Sequence, residues 1–380
     1  MIGFEAEEDE RQVIDLARRL ARETIMPSAA RYDESEDFPR DVLTKLFEAG
    51  LMDPEIPEDL GGAGLPRWLD AWITEELAWG CAGITLAKTA NNLGITPILL
   101  AGTDEQKRRL LTPFTKELRL AAFGLTEPSS GSDAASLRTR AEKVPGGYRL
   151  NGVKRFITNG GVADLYSVFA TQDPAKGARG ITAFAVERGT PGLSAGKKES
   201  KLGIRASNTT EVLFEDVFVP KEMRLGEEGE GFRVAMATLD LSRSNIAAGA
   251  VGIARRALDE ATRYARERVQ FGQPIIAHEQ VAAMLADMAM ETEAAHWLTL
   301  RAAWLADQGK PASVYASMAK AFGSDAAMRA TTDAVQIFGG YGFMRDFPVE
   351  KLFRDAKVYQ IFEGTNQIQR LVIARSLGSQ

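Results

Sequence analysis

The stretch Gly146-Gly147-Tyr148-Arg149-Leu150-Asn151-Gly152-Val153-Lys154-Arg155-Phe156-Ile157-Thr158-Asn159-Gly160-Gly161 opens on a Gly-Gly turn and closes on an Asn-Gly turn. Between them, Tyr148 to Val153 has the composition of a strand bounded by turn residues. Leu165 to Ala170, Ile181 to Val186 and Glu211 to Val219 repeat that texture. No helical pattern separates these runs, which predicts an antiparallel barrel or sandwich and argues against a parallel sheet.

Outward in both directions the pattern turns helical. Val13, Ile14, Ala17, Leu20, Ala21 and Ile25 recur at the spacing of one helix face. Gly50 and Gly80 each follow a periodic stretch, as C-terminal punctuation does. Thr103 before Asp104, Glu105 and Gln106 reads as an N-cap with an acidic first turn. Downstream, Phe232 to Val269 contains no proline, and helical segments follow over Ala277 to Gln308, Ala312 to Phe338 and Asp346 to Leu377. Four long helices with short connections predict an up-and-down bundle. The predicted fold class is α+β multidomain. It comprises an N-terminal all-α domain over 1–120, a middle antiparallel β domain over 121–228 and a C-terminal four-helix bundle over 229–380.

Composition narrows the chemistry. The 380 residues carry 46 Lys and Arg against 52 Asp and Glu, a net charge of −6. Phosphate neutralisation needs a basic surface, so nucleic acid is not an expected partner. The single cysteine, Cys81, forms no internal disulfide, and two histidines, His278 and His296, supply neither a zinc site nor a Ser-His-Asp hydrolase well. No metal is expected, and acid–base work falls to a carboxylate or to an organic cofactor. Met1 to Arg11 is acidic, unlike a secretory or transit leader, and the longest apolar run stops at Arg255. A spanning helix needs ~20 apolar residues, so no membrane insertion is expected, and the expected location is cytoplasmic.

Gly61-Gly62-Ala63-Gly64, Gly229-Glu230-Gly231 and Gly339-Gly340-Tyr341-Gly342 are rich in glycine, but none forms G-x-G-x-x-G between a strand and a helix. Phe123-Gly124-Leu125-Thr126-Glu127-Pro128-Ser129-Ser130-Gly131-Ser132-Asp133 begins like a strand and ends in a small, hydroxyl-rich loop. It reads either as a plain loop or as a cradle of backbone N–H groups with Thr126 and Ser132 as donors. Phe156-Ile157-Thr158-Asn159-Gly160-Gly161 reads either as hairpin chemistry or as an aromatic and a hydroxyl placed together. Arg268 and Phe271, where a long helix ends, are either dipole partners or a phosphate ligand and a stacking face. His278 reads as a helix-start residue. Glu363, just before the N-cap Thr365 and beside Gly364, is either a solvated loop acid or a partly desolvated general base.

Gly124 to Ser136, Lys154 to Gly160, Gln270 to Met284 and Asp333 to Arg375, taken in order, resemble the acyl-CoA dehydrogenase family over essentially the whole chain. Gln336-Ile337-Phe338-Gly339-Gly340 and Glu363-Gly364-Thr365 are most similar to the medium-chain and short-chain members that act on straight chains. The resemblance implies three domains in the order read above, and FAD held without a dinucleotide fold. It assigns Phe123, Leu125, Thr126, Gly131, Ser132, Phe156, Ile157 and Thr158 to the flavin and its chain. Arg268, Gln270, Phe271, His278, Glu279, Gln336, Gly339 and Gly340 fall at positions for the nucleotide end, several reaching it from a neighbouring subunit, and Thr365 and Gln367 also fall at FAD positions. It therefore implies a homotetramer built as a dimer of dimers.

For the acyl-CoA substrate the resemblance assigns Ser132, Asp240, Ser242, Arg243, Phe362, Glu363 and Gly364, with Glu363 as base. Other members place the base where this chain has Ser242. The implied reaction is α,β-dehydrogenation of a saturated acyl-CoA to the trans-2-enoyl-CoA, as in β-oxidation. Glu363 takes the α-proton, the β-hydrogen leaves as hydride to the flavin, and electrons pass to electron-transfer flavoprotein. The rival readings are an acyl-CoA oxidase and a non-catalytic acyl-CoA-binding relative. Phe156 stands where many members have Trp, Glu279 where Gln is frequent, and Phe362 where Tyr is common. The acyl cavity is expected near Leu86 to Leu93, where Lys88 and Thr89 either polarise it or face outward.

Overall fold

The computed structural model describes residues 6–378. Helix α1 (Glu8–Leu20) buries Ile14 and Ala17, passes through a π-helical turn over Ala21–Ile25 into α2 (Met26–Ser35), and α3 (Arg40–Glu48) follows. Helix α4 (Arg67–Ala101) is buried on almost every face, so it lies at the centre of the molecule. It is two helical pieces joined at Cys81, whose backbone is extended (φ −166°, ψ 114°). Gly80 closes the first piece, as its place after a periodic stretch predicts. Its missing side chain is required by packing, because a Cβ there would stand 2.8 Å from the Ala21 carbonyl oxygen. Helix α5 (Asp104–Leu111) starts as expected, with Thr103 Oγ1 accepting from the Gln106 N–H at 3.2 Å.

The middle region holds β1 (Ala121–Gly124), β2 (Arg140–Val144), β3 (Gly147–Thr158), β4 (Leu165–Thr171), β5 (Ile181–Glu187), β6 (Leu193–Lys198), β7 (Thr209–Pro220) and β8 (Arg224–Leu225). They form one eight-stranded sheet in the order β6-β7-β3-β2-β4-β5-β8, with β1 beside β4. All four expected strands are present, and the pairing is antiparallel except for β1–β4 and β2–β4. The long connection from β1 to β4, which contains a hairpin, lets β4 run parallel to β1. Every residue of β4 is buried.

Helix α6 (Gly231–Glu267) leads into a short hairpin of β9 (Val269–Gln270) and β10 (Gln273–Pro274), then α7 (Glu279–Asp307) and α8 (Ser313–Phe338). The fourth expected helix is broken into α9 (Val349–Tyr359) and α10 (Asn366–Leu377). Glu363 (φ 52°) and Gly364 (φ 90°) are left-handed and stop the helix, and Thr365 Oγ1 then caps α10 by accepting from the Ile368 N–H. Among the described residues no helix is long and apolar enough to cross a membrane.

Helix α6 crosses α4 at close range, and that crossing places the site. Gly252 makes it possible: a Cβ there would lie 2.4 Å from the Glu75 carbonyl oxygen and 2.9 Å from the Trp79 nitrogen. Asp355 of α9 anchors the bundle to the segment after β6, accepting from the Ile204 N–H at 2.5 Å. Gly252→Leu is expected to lower stability by about 2–3 kcal/mol, since neither backbone can retreat. Gly323→Ala, where the nearest atom is 3.6 Å away, is expected to be neutral or stabilising by a few tenths of a kcal/mol. Urea denaturation of the two variants checks both.

Candidate active site

Glu363 sits on the turn between α9 and α10 in a left-handed conformation that costs a bulky residue about 1–3 kcal/mol. Two side chains pin the turn. Lys320 Nζ, from the middle of α8, donates to the Gly364 carbonyl at 2.8 Å and to Asn366 Oδ1 at 2.9 Å. Gln369 Nε2 donates to the Glu363 and Gly364 carbonyls at 3.2 and 3.0 Å. The carboxylate is thereby held against α6, where Ser242 Oγ donates to Glu363 Oε2 at 2.5 Å. Among the described residues the Glu363 N–H has no acceptor, which leaves it free for a ligand.

Burial pushes the Glu363 carboxyl up to about 7, against the Ser242 hydrogen bond and the charges of Arg243 and Lys320, which pull it down. Burial likewise pushes the Lys320 ammonium down to about 7, with Glu363 opposing. Arg243 is buried and paired with half-buried Asp240, and its Nε has no partner. Phe362 packs edge-on to buried Tyr359, 4.9 Å between ring centres. Glu363 and Ser242 line a narrow cavity between α4 and α6. Thr89 and Asn92 of α4 line it too, whereas Lys88 turns behind it to pair with Asp70.

A second group assembles on the sheet. Lys154 of β3 and Glu127 form a buried ion pair at 2.7 Å. Lys154 Nζ also donates to the Leu125 carbonyl at 3.2 Å, and Glu127 accepts from the N–H groups of Arg138 and Thr139 at 2.6 and 2.9 Å. The Arg155 N–H donates to the Thr126 carbonyl at 2.8 Å, so the two motif loops are fastened side by side. Burial pushes Lys154 down to about 8, while Glu127 is held low by Lys154 and its other donors despite its burial. Phe156, left-handed at φ 58°, stands 59% exposed. Thr126 and Thr158 are half-buried, and Gly131 and Ser132 open to solvent. Phe123 packs on Phe169, and the side chains of Leu125 and Ile157 belong to the core.

A third group lies at the far end of α6. Phe271, at the tip of the hairpin, is 95% exposed and left-handed at φ 52°. His278 sits at the N-cap position of α7 as expected, but its ring turns back to the hairpin, with Nε2 3.2 Å from the Gln270 carbonyl. Among the described residues no carboxylate pairs with the exposed Arg268 guanidinium, which lies over the Tyr341 ring. Glu279, Gln336, Gly339, Gly340 and Gln367 are exposed, whereas the Thr365 hydroxyl is engaged in capping.

Ser242 and Arg268 stand about 40 Å apart along α6, so the first and third groups of one chain cannot hold the same small molecule. The residues nevertheless fit a flavin nucleotide. Gly131, Gly339 and Gly340 face open space where a side chain would intrude, Phe156 offers a flat exposed face, and Arg268 is an unpaired cation for a pyrophosphate. Sequence reading missed Lys320, the Glu127 partner of Lys154, and Asn92 and Asn245 on the cavity wall. A lysine set among Ala316, Ala319, Ala321 and Gly323 was the available signal for the first.

Comparison with known proteins gives three matches in register. Family profiles described as acyl-CoA dehydrogenase N-terminal, middle and C-terminal domains match residues 7–117, 122–217 and 229–378. An acyl-CoA dehydrogenase of Bacillus subtilis is 48% identical over 363 residues, covering 95% of this chain and 96% of that protein. A chain in the structure of the electron transferring flavoprotein of Acidaminococcus fermentans superposes with TM-score 0.97 at 46% identity, covering 99% of both chains. Butyryl-CoA dehydrogenase from Megasphaera elsdenii gives 0.97 at 43% identity, covering 99% of this chain and all of its own.

The Glu363 carboxyl sits near 7 when folded and near 4.5 when unfolded. The folded state therefore holds the extra proton between those values, and stability from this group is lost as pH rises from 4.5 to 7. Glu363→Gln, which removes that dependence, is expected to gain thermal stability over the parent at pH 8 and to lose the advantage at pH 5. Melting curves of the two proteins across that range test it.

Proposed function

The chain belongs to the acyl-CoA dehydrogenase family, and on that footing we propose that it converts a saturated straight-chain acyl-CoA to the trans-2-enoyl-CoA with Glu363 as the base. It is an FAD-dependent oxidoreductase. The observation that carries the assignment of the base is a carboxylate pinned on the wall of a cavity, in reach of neutral pH, with a backbone N–H on the same residue that has no acceptor among the described residues.

Burial brings Glu363 to a basicity suited to proton abstraction near neutral pH, stronger than a solvated carboxylate offers. The α-proton of a thioester is too weakly acidic for a carboxylate unaided. The Glu363 N–H, aimed by the left-handed turn, supplies a donor for the thioester oxygen as negative charge develops there. Ser242 steadies the ionised carboxylate, and Lys320 holds the turn and favours its charge. FAD, when bound, supplies the acceptor for the β-hydrogen as hydride.

The flavin end is assigned to Phe123, Leu125, Thr126, Gly131, Ser132, Phe156, Ile157 and Thr158, with Thr365 and Gln367. The nucleotide end is assigned to Arg268, Gln270, Phe271, His278, Glu279, Gln336, Gly339 and Gly340 of another subunit. Asp240, Ser242, Arg243, Ser132, Phe362 and Gly364 contact the acyl-CoA in this reading. The span between the first and third groups supports an oligomer, a tetramer in this reading, as do exposed Phe271, Tyr341, Phe343 and Met344. Electron-transfer flavoprotein is the proposed acceptor, supported by the Acidaminococcus relative. A role in fatty-acid β-oxidation in the cytoplasm completes the proposal.

Anaerobic titration of the FAD-loaded protein with straight-chain acyl-CoAs is expected to bleach the flavin band. Glu363→Gln should bind FAD and acyl-CoA yet reduce at least about 10³-fold more slowly. Bleaching that survives Glu363→Gln refutes the base. Rapid reoxidation of the product-bound enzyme by oxygen would replace the dehydrogenase with an oxidase. Lys320→Met should move the pH profile of flavin reduction to higher pH with FAD retained, because a cation favouring the Glu363 carboxylate is gone. An unshifted profile would reduce Lys320 to a structural part.

A further inference from the structure

The wall of the cavity beyond Glu363 is polar. Asn92 of α4 and Asn245 of α6 both line it, and both are more than nine-tenths buried. Their Nδ2 groups donate to the same atom, Asp70 Oδ2, at 2.9 and 2.8 Å. Asp70 is itself fully buried against Lys88. A carboxylate accepts and does not donate, so it fixes the orientation of both amides: Nδ2 must face Asp70 and Oδ1 must face away. Both Oδ1 atoms are buried, and among the described residues neither has a partner.

The neighbouring hydroxyls do not serve them. Thr89 Oγ1 donates to the Leu86 carbonyl at 3.1 Å and Thr96 Oγ1 to the Asn92 carbonyl at 2.7 Å. Glu55 and Arg67, also on the lining, pair with each other at 2.5 Å. A buried acceptor left unpaired costs about 1–3 kcal/mol, and two beside one cavity mark a place where a donor belongs. Asn245 is three residues beyond Ser242, about 4.5 Å along α6. That is the reach of a short acyl chain whose α-carbon lies at Glu363.

We propose that this pocket selects a short acyl-CoA whose far end carries a hydrogen-bond donor, a hydroxyl given to one of Asn92 Oδ1 and Asn245 Oδ1 or an amine given to both. The inference rests on the reading of Glu363 as the base and deepens it by naming the substrate class. A methyl terminus of the same size would leave both oxygens unpaired, and a carboxylate terminus would set acceptor against acceptor.

The test compares isosteric pairs in anaerobic flavin reduction by the FAD-loaded wild-type protein: 4-hydroxybutyryl-CoA with pentanoyl-CoA, and 5-hydroxypentanoyl-CoA with hexanoyl-CoA, with succinyl-CoA as the acceptor-ended case. The hydroxylated member of at least one pair is expected to win by about tenfold or more in kcat/KM, the worth of one buried hydrogen bond. Asn245→Leu should bring the hydroxyl-to-methyl ratio towards one, whatever it does to the absolute rate of flavin reduction. Should that variant fail to fold, the wild-type ratios decide alone. Equal or better reduction by the apolar members, or a preference for succinyl-CoA, overturns the proposal and leaves Glu363 in place. Reduction by none of the five would instead overturn the reading of the site on which it rests.

Discussion

The Asp70 carboxylate has no contact with water, and the arrangement of the central helices depends on how it is satisfied. Removing an ion from water costs several kcal/mol, recovered only when charge and hydrogen bonds surround it. Here Lys88 and Asn92 come from the second piece of α4, and Asn245 from α6. In an unbroken helix Asp70 and Lys88 would stand about 27 Å apart. The extended backbone at Cys81 folds the two pieces of α4 towards each other so that they meet. With Asn245 fixed to the same carboxylate, Ser242 three residues earlier is fixed as well, and through it the Glu363 carboxylate.

Backbone strain follows the same geography. Seven described non-glycine residues are left-handed, and Phe156, Phe271 and Glu363 are among them. A bulky side chain accepts such a conformation only where neighbours over-determine it. Around Glu363 the neighbours are Lys320 and Gln369; beside Phe156 they are the Arg155–Thr126 hydrogen bond and the Lys154–Glu127 pair. At Phe156 and Phe271 the held conformation turns an aromatic face outward; at Glu363 it holds a buried carboxylate against α6 and leaves the N–H without an acceptor among the described residues.

The order of helices, strands and helices was legible because periodicity of side chains reports burial directly, and Thr103 and Thr365 showed their caps through residue type alone. The break in α4 was half-legible: Gly80 reads as C-terminal punctuation, but nothing local shows the chain turning back as a second helix. Cys81 stands in an apolar stretch whose composition is helical on both sides, and only contacts distant in sequence distinguish it. The division of the last helix was half-visible, since the N-cap at Thr365 was read while the segment from Asp346 was still read as continuous. Glu363 alone read equally as a solvated acid. Its depth comes from α6 and α8, which no local pattern announces. Glu127 and Lys154 were each inside a recognised motif, but their partnership spans the sheet.

The 40 Å between Ser242 and Arg268 has a thermodynamic consequence. In the proposed reading one flavin nucleotide touches Thr126 and Thr158 of one chain and Arg268 and Phe271 of another. A ligand that bridges two chains binds the assembled form and neither separated half, so it stabilises assembly by the same free energy with which assembly tightens its own binding. The exposed apolar side chains of the hairpin and of Tyr341 to Met344 then belong to that contact, and their exposure in a single chain is the counterpart of an incomplete site. The base needs no partner: its pins, its hydrogen bond and its polar cavity all come from one chain. In that reading proton abstraction is set up within one chain, and the site for the hydride acceptor is completed by the neighbour.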